Sequence, residues 1–590
     1  MSNMDNDGLM HRVQFNQSGK SDTKIENARK FLYGEDESFT SLEFNKPSTS
    51  NVNISVSAIA TSNMLPYGND NISRRDPKNK KYLHTTVAVA LLLGSLYLLA
   101  IFTGGTGSIE VVNYKRIKQF QTEILELELS SKYDIETIGT PQYHAVHWLA
   151  SVDGAKLKAT NTYAMQRYAL AVLFYSTAGT EDHVNPNKNG KWIDQTNWMT
   201  EAGLCSWHGV VCIDHEEDSN EKIDEDGDVM ALDLFKNGLD GVLPLELSAL
   251  TLLHRLNLSE NGLTGKLPKS FKTLTRLRNF VLRDNKLTGY IPTEYGVALT
   301  NMRQFNLGGN KLNGPIPSQI DHMVDLRSLG LDKNKLDGNI PDLEGLSKLN
   351  KLYLDQNEFE GPFPESVSKL TSLVELNLSG NHLTGSLPSE LVKLTHLELM
   401  ILGELNLRGN IPAEIFKKVT RLTELVLTDN HLTGQIPTSI GHLKDLQGFF
   451  LGENKLTGTI PRQVGLMVDL KHFQIDGNNI GGTIPNIISA LNDLEGFKLS
   501  RNSITGTIPP NIGTLHRLVE LRLESNQLEG EVPSEMGDLL SLKVARLYNN
   551  NITGNVPEEV CDLTTDEELT YLAVDCAGEK VTCNCCTTCF

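Results

Sequence analysis

LHRLNLSENGLTGKLP, residues 253–268, is one period of a pattern that runs through most of the chain. Its asparagine, Asn261, recurs as Asn237, Asn285, Asn310, Asn334, Asn357 and Asn381, and again as Asn430, Asn454, Asn478, Asn502, Asn526 and Asn550. The interval is 23 to 25 residues, and a further unit at residues 402–412 carries Leu405 in the asparagine place, making fourteen units. A repeat of this length is one coil of a stack that buries a shared core. The alternation Leu256-x-Leu258 predicts a short strand with its leucines turned inward. Successive coils then pair these strands into one parallel sheet. The asparagine amide can satisfy backbone groups of adjacent coils. Leu405 cannot, which predicts an irregular coil there. The glycine that follows (Gly241, Gly265, Gly289) suits a turn that other residues resist. The Leu-Pro or Ile-Pro after it starts the return on the convex side, where a missing N–H is harmless.

Working outward, the repeats occupy residues 229–560 of 590. The chain is 39% hydrophobic but only 6% aromatic, as a leucine-built solenoid should be. Its formal net charge of -19 and pI near 5.3 argue against nucleic acid as a partner. The eight cysteines sit only at the two ends of the array: Cys205 and Cys212 before it, and Cys561, Cys576, Cys583, Cys585, Cys586 and Cys589 after it. Such clusters predict disulfide-tied caps in an oxidising compartment. Cys205 and Cys212 are expected to pair, and the neighbours Cys585 and Cys586 to bond to different partners. Fifteen pairings of the last six are open. Zinc is the alternative use of such spacing.

TTVAVALLLGSLYLLAIFT, residues 85–103, is uncharged. It is close to the ~20 residues that a membrane-spanning helix needs. Arg74, Arg75, Lys78, Lys80 and Lys81 precede it, whereas Lys115, Arg116 and Lys118 follow. That excess predicts a cytosolic N-terminus and a signal anchor, with the repeats extracellular or lumenal, at the plasma membrane. Residues 1–84 are polar and without periodicity, so they read as a disordered cytosolic tail. The domain order expected is tail 1–84, transmembrane helix 85–104, juxtamembrane segment and N-terminal cap 105–228, repeats 229–560 and cysteine-rich cap 561–590. Ile117 to Ser131 and Tyr163 to Tyr175 have the spacing of amphipathic helices, placed to cover the first coil.

The unit LxxLxLxxNxLxGxIPxxL resembles the plant-specific class of leucine-rich repeat, carried by receptor-like kinases, receptor-like proteins and polygalacturonase inhibitors. CSWHGVVC, residues 205–212, with Trp198 before it, is similar to the plant-type N-terminal cap. PQYHAVHWLA (141–150), QRYALAVLFY (166–175) and the tail CNCCTTC (583–589) look like leucine-rich-repeat membrane proteins of diatoms that lack a kinase domain. The resemblance implies an α/β solenoid: a right-handed leucine-rich-repeat superhelix with a parallel concave sheet and a helical N-terminal cap. It also implies a receptor-like protein that binds a peptide, glycan or protein ligand on its concave face and signals through partners, a co-receptor among them. The other reading is cell-surface adhesion, a structural role, or inhibition of foreign wall-degrading enzymes.

Large residues interleaved with the strand leucines are the candidate ligand contacts: Phe235, Arg283, Tyr353, Phe450, Lys498, Arg522, Arg546 and Tyr548. Lys498, Arg522 and Arg546 fall on three successive coils, about 4.8 Å apart, and would form a basic stripe for an anionic ligand unless Glu520 and Glu524 neutralise it. Trp192, Trp198 and Trp207 read as cap core. The sequons at Asn257, Asn377 and Asn551 are glycosylation candidates in an outer domain. The acidic run Asp214 to Asp228 fails as a calcium loop. Counted from Asp224, glycine falls at position four rather than six and Phe235 stands where the twelfth-position glutamate should be. No HExxH, GxSxG or Walker loop is present, so binding without catalysis, metal or cofactor is the expectation.

Overall fold

Each repeat opens on a short strand, of three residues in all but the first, whose apolar side chain points inward. In Arg255–Asn257, Leu256 is fully buried between two half-exposed or polar neighbours. The computed structural model describes residues 114–177, 192–212, 227–565, 569–577 and 580–590. The tail 1–84, the apolar segment 85–103 and residues 213–226 of the acidic run lie outside the described residues. Among the described residues, no helix is long and apolar enough to cross a membrane.

The strands stack into one sheet in chain order. Fourteen of its members, from Val229–Asp233 to Val544–Arg546, come from the repeats and pair in parallel. Most repeats then turn through a Pro into a short 3-10 segment such as Lys269–Thr273, or into an α-helical turn as at Thr293–Ala298 and Ala413–Lys418, on the far side of the core. Leucines fill the space between the two layers. Phenylalanine takes the inward strand position on three successive coils, where Phe449, Phe473 and Phe497 stack with centroids 5.4 and 5.7 Å apart.

The asparagines form the ladder expected of them. The Asn454 amide lies 2.8 Å from the Leu427 carbonyl of the preceding coil and 3.1–3.2 Å from those of Gly452 and Leu451, and its oxygen accepts the Leu432 N–H at 3.0 Å. The expectation of an irregular coil at Leu405 is overturned. Leu399–Ile401 pairs with Glu375–Asn377 on one side and Glu424–Val426 on the other in unbroken register. Leu405 itself is buried, and Glu404 before it keeps the turn at φ 54°. The backbone ladder carries the register, so a missing amide removes side-chain bonds without changing the path. The segment around the repeat glycine is also more than a turn. Lys311–Gly314, Lys335–Asn339 and Glu358–Glu360 pair into a second, shorter parallel ladder, because Leu312, Leu336 and Phe359 alternate inward. Gly265 needs its freedom: it sits at φ +84°.

Among the described residues, four α-helices precede the first coil. These are α1 (Tyr114–Glu126), α2 (Lys132–Glu136), α3 (Pro141–Ser151) and α4 (Thr162–Thr177). Helix α1 buries Ile117, Phe120 and Ile124 on one face. Helix α4 is buried along most of its length and packs on the Leu245–Ala249 turn of the first repeat. There Glu246 accepts from Ser130 at 2.7 Å and Gln142 at 3.0 Å, joining helices to solenoid. Trp192, Trp198 and Trp207 are all buried, as core residues would be. At the centre lies a pair absent from the sequence reading. Arg167 and Asp153 meet at 2.7 Å with both side chains fully buried, and the guanidinium stands between Trp148 and Trp207 at 5.4 and 5.1 Å.

The ends are covalently closed. Cys205–Cys212 brackets Val210–Cys212, which pairs antiparallel with Val229–Asp233. At the other end Tyr571–Val574 and Thr588–Cys589 add two parallel strands, held by Cys561–Cys585, Cys576–Cys589 and Cys583–Cys586. Adjacent Cys585 and Cys586 do bond to different partners.

Candidate functional site: the strand face

Along a strand, the first and third residues face away from the leucine core. In parallel register these outward residues line up in rows across the sheet. The third-position row runs Tyr353, Asn377, Ile401, Val426, Phe450, Gln474, Lys498, Arg522 and Arg546. The first-position row beside it runs Lys351, Glu375, Leu399, Glu424, Gly448, His472, Gly496, Glu520 and Val544.

The predicted basic stripe is present as geometry, with Lys498, Arg522 and Arg546 in register on adjoining strands. Glu520 divides it. Lys498 reaches Glu520 at 2.8 Å, and Arg522 pairs with the same carboxylate from its own strand. Burial works against the charge on Glu520, but hydrogen bonds and charge from Lys498 and then Arg522 hold its carboxyl below the ordinary value. Glu524 makes no ion pair with Arg522. It is buried, and burial raises its carboxyl. Arg546 lies over the Tyr571 ring at 5.2 Å. Tyr548 is covered by the C-terminal Phe590, with ring centroids 3.9 Å apart. Phe235 is exposed beyond the end of the first parallel strand.

Arg283 is engaged within the chain. It crosses over Gly308 to reach Asp332, two coils on, at 2.7 Å, in space that a side chain at 308 would fill. Asp355 stands one coil beyond, 8% exposed, and burial together with the nearby Asp332 charge raises its carboxyl to about 7. A carboxyl raised in the folded state stabilises the fold at low pH, and that contribution is lost as pH rises from near 4 to about 7. Asp355→Asn should therefore raise stability by about 4 kcal/mol at pH 8 and change it little at pH 4. Urea unfolding at the two pH values measures this; an equal effect at both would refute it.

The residues that the sequence reading missed, Leu399, Ile401, Val426 and Glu424, lie beside the predicted Phe450 in the middle of the face. Leu399, Ile401, Val426 and Phe450 are apolar, partly exposed and contiguous, with Glu424 among them. A signal was present. Here LMIL (399–402), LVL (425–427) and FFL (449–451) replace the usual apolar-polar alternation with unbroken apolar runs. The Phe450 ring lies over Gly448, where a Cβ would strike it, and faces His472 at 6.2 Å. Of the three sequons, Asn551 is exposed, Asn377 is partly buried, and Asn257 is buried with its amide donating to Asp233 at 2.9 Å. Among the described residues no cluster of side chains is arranged to hold a metal ion.

The family description "Leucine rich repeat" matches residues 420–480, and further single-repeat matches fall at 252–274, 372–394 and 493–515. No curated protein sequence matches the chain significantly. Among solved structures, the crystal structure of PEPR1–AtPEP1 aligns with a TM-score of 0.58 and 28% identity, over 70% of this chain and 60% of that one. The ectodomain of the Arabidopsis receptor kinase HAESA, solved with an extended IDA peptide hormone, aligns at 0.48 and 29%, over 64% of this chain and 69% of that one. A leucine-rich-repeat protein of Leptospira interrogans aligns at 0.47 and 34%, over 56% of this chain and 81% of that one. The chain thus spans 60% of the length of the first of these structures.

Proposed function

From the premise that this chain is a leucine-rich-repeat solenoid similar in structure to plant receptor ectodomains, we propose that it is a membrane-anchored, receptor-like protein. Its strand face binds a peptide or protein, and it signals through partners. The observation that carries this reading is the half-exposed, contiguous apolar row Ile401, Val426 and Phe450 on the outward side of the sheet. Apolar groups held out of the core on a rigid scaffold are where a ligand gains most from desolvation. Similarity to the PEPR1–AtPEP1 complex supports a peptide as the ligand class. Anchoring rests on residues 85–103 and their basic N-terminal flank.

Random peptides displayed on phage and selected against the full chain test the binding. Binders should be recovered, and Val426→Arg should abolish their capture without moving the melting temperature. Failure to recover binders, or binders indifferent to Val426→Arg, would sink the reading. A tag at Phe590 that resists protease in sealed membranes would place the repeats outside the cytosol; digestion would place them in it.

A further inference from the structure

We infer that the strand face between Leu399 and Phe450 seats an arginine side chain of the bound peptide, with Glu424 taking its charge and the Phe450 ring its flat face. This rests on the ligand-binding reading above and specifies the ligand's chemistry.

The case begins with a difference among three first-position glutamates. Glu375 has Lys351 as its register neighbour and pairs with it at 3.1 Å. Glu520 pairs with Lys498 at 2.8 Å. Glu424 has Leu399 on one side and Gly448 on the other, and neither can pair with it. Among the described residues no cation or hydrogen-bond donor reaches its side chain. Ile401, Val426 and Phe450 crowd its strand, and burial raises its carboxyl. A partly desolvated carboxylate with no partner costs stability. Nothing among the described residues offsets that cost, whereas an incoming cation would.

The neighbours narrow the cation. Gly448 has no side chain, and the Phe450 ring fills the space that one would take, on the side that the Glu424 side chain also borders. A planar guanidinium can fork to the carboxylate and stack on the ring together, which an ammonium cannot. Leu399, Ile401 and Val426 offer apolar contact on adjoining strands, matching alternate side chains of an extended peptide rather than a free polyamine. Glu398, Glu404 and Asp429 stand exposed on the same and the next coil and oppose an anionic ligand.

The test uses the full chain and acetylated peptides from the selection that carry one arginine between apolar residues, each paired with a copy carrying citrulline at that position. Citrulline keeps the shape and removes the charge. On the native chain, citrulline should weaken binding about tenfold or more. On Glu424→Gln the arginine peptide should weaken by a similar factor, and citrulline should then add little. Glu424→Gln should melt no lower than the native chain, which separates lost binding from lost folding. If selected peptides carry no arginine, or if citrulline costs the same on both proteins, the arginine seat is wrong. Should Val426→Arg still abolish capture in that case, the ligand-binding face survives; should it not, both readings fall together.

Discussion

Asp153→Ala should destabilise the N-terminal helical region by about 3–5 kcal/mol, because it leaves the Arg167 guanidinium charged and buried. Arg167 has no exposure, and its nitrogens bond to both Asp153 oxygens at 2.7 and 3.0 Å and to the Thr200 and Ala202 carbonyls at 3.1 Å. Two neutral carbonyls cannot replace a carboxylate. Trp148 and Trp207 flank the cation at 5.4 and 5.1 Å and exclude water from it. The double replacement Asp153→Ala with Arg167→Met should recover much of the loss, since an apolar side chain of similar length needs no counter-charge. Because α4 packs on the first repeat, the first coil should fray with the helices. Hydrogen exchange of Leu245–Ala249 would report it. Unchanged protection there, or a double variant no better than the single, would refute this account.

Asn454→Ala should cost about 3 kcal/mol, since it removes one accepted and two or three donated bonds, each worth about 1 kcal/mol, inside a closed coil. The Leu432 N–H and the Leu427 carbonyl would lose their side-chain partner at a depth that water does not reach. Leu405 supplies the internal comparison. With leucine in the ladder place, the Leu383 N–H lacks the amide oxygen that Leu407 finds on Asn430 at 3.0 Å. The coil keeps its register, and Leu405 adds apolar burial where the amide would have been. Alanine at 454 offers neither the bonds nor the volume. Denaturant unfolding monitored by circular dichroism should show a lowered or divided transition, because stability in a stack of coils is nearly a sum over neighbours. A single transition at the native midpoint would contradict the ladder's importance.

The architecture was legible because each residue type answers a local demand repeated fourteen times. Inward leucines, ladder asparagines and the proline at the start of the return are nearest-neighbour requirements, and Leu253, Leu256 and Leu258 satisfy them as written. What escaped depends on partners far apart in the chain. The left-handed residue before the ladder asparagine, Glu260 at φ 52° or Gln356 at φ 53°, is set by the turn and leaves no consistent mark in residue type. Arg167 and Asp153 meet only because α4 folds back onto the loop after α3.

The ligand face divides the same way. Sequence alone determined which residues point outward, since alternation sets that within a single strand. It therefore placed Phe450, Lys498, Arg522 and Arg546 on the open side without the structure. Only tertiary structure decided which of them are free to act. Arg283 is taken up by Asp332 from two coils on, Tyr548 by Phe590 from the chain end, and Lys498 and Arg522 by one glutamate between them. Those partners lie 49, 42, 22 and 2 residues away along the chain. The register of the parallel sheet, which couples each outward side chain to its neighbours on the adjoining coils, decides whether a charge is neutralised at home or, as at Glu424, left for a ligand.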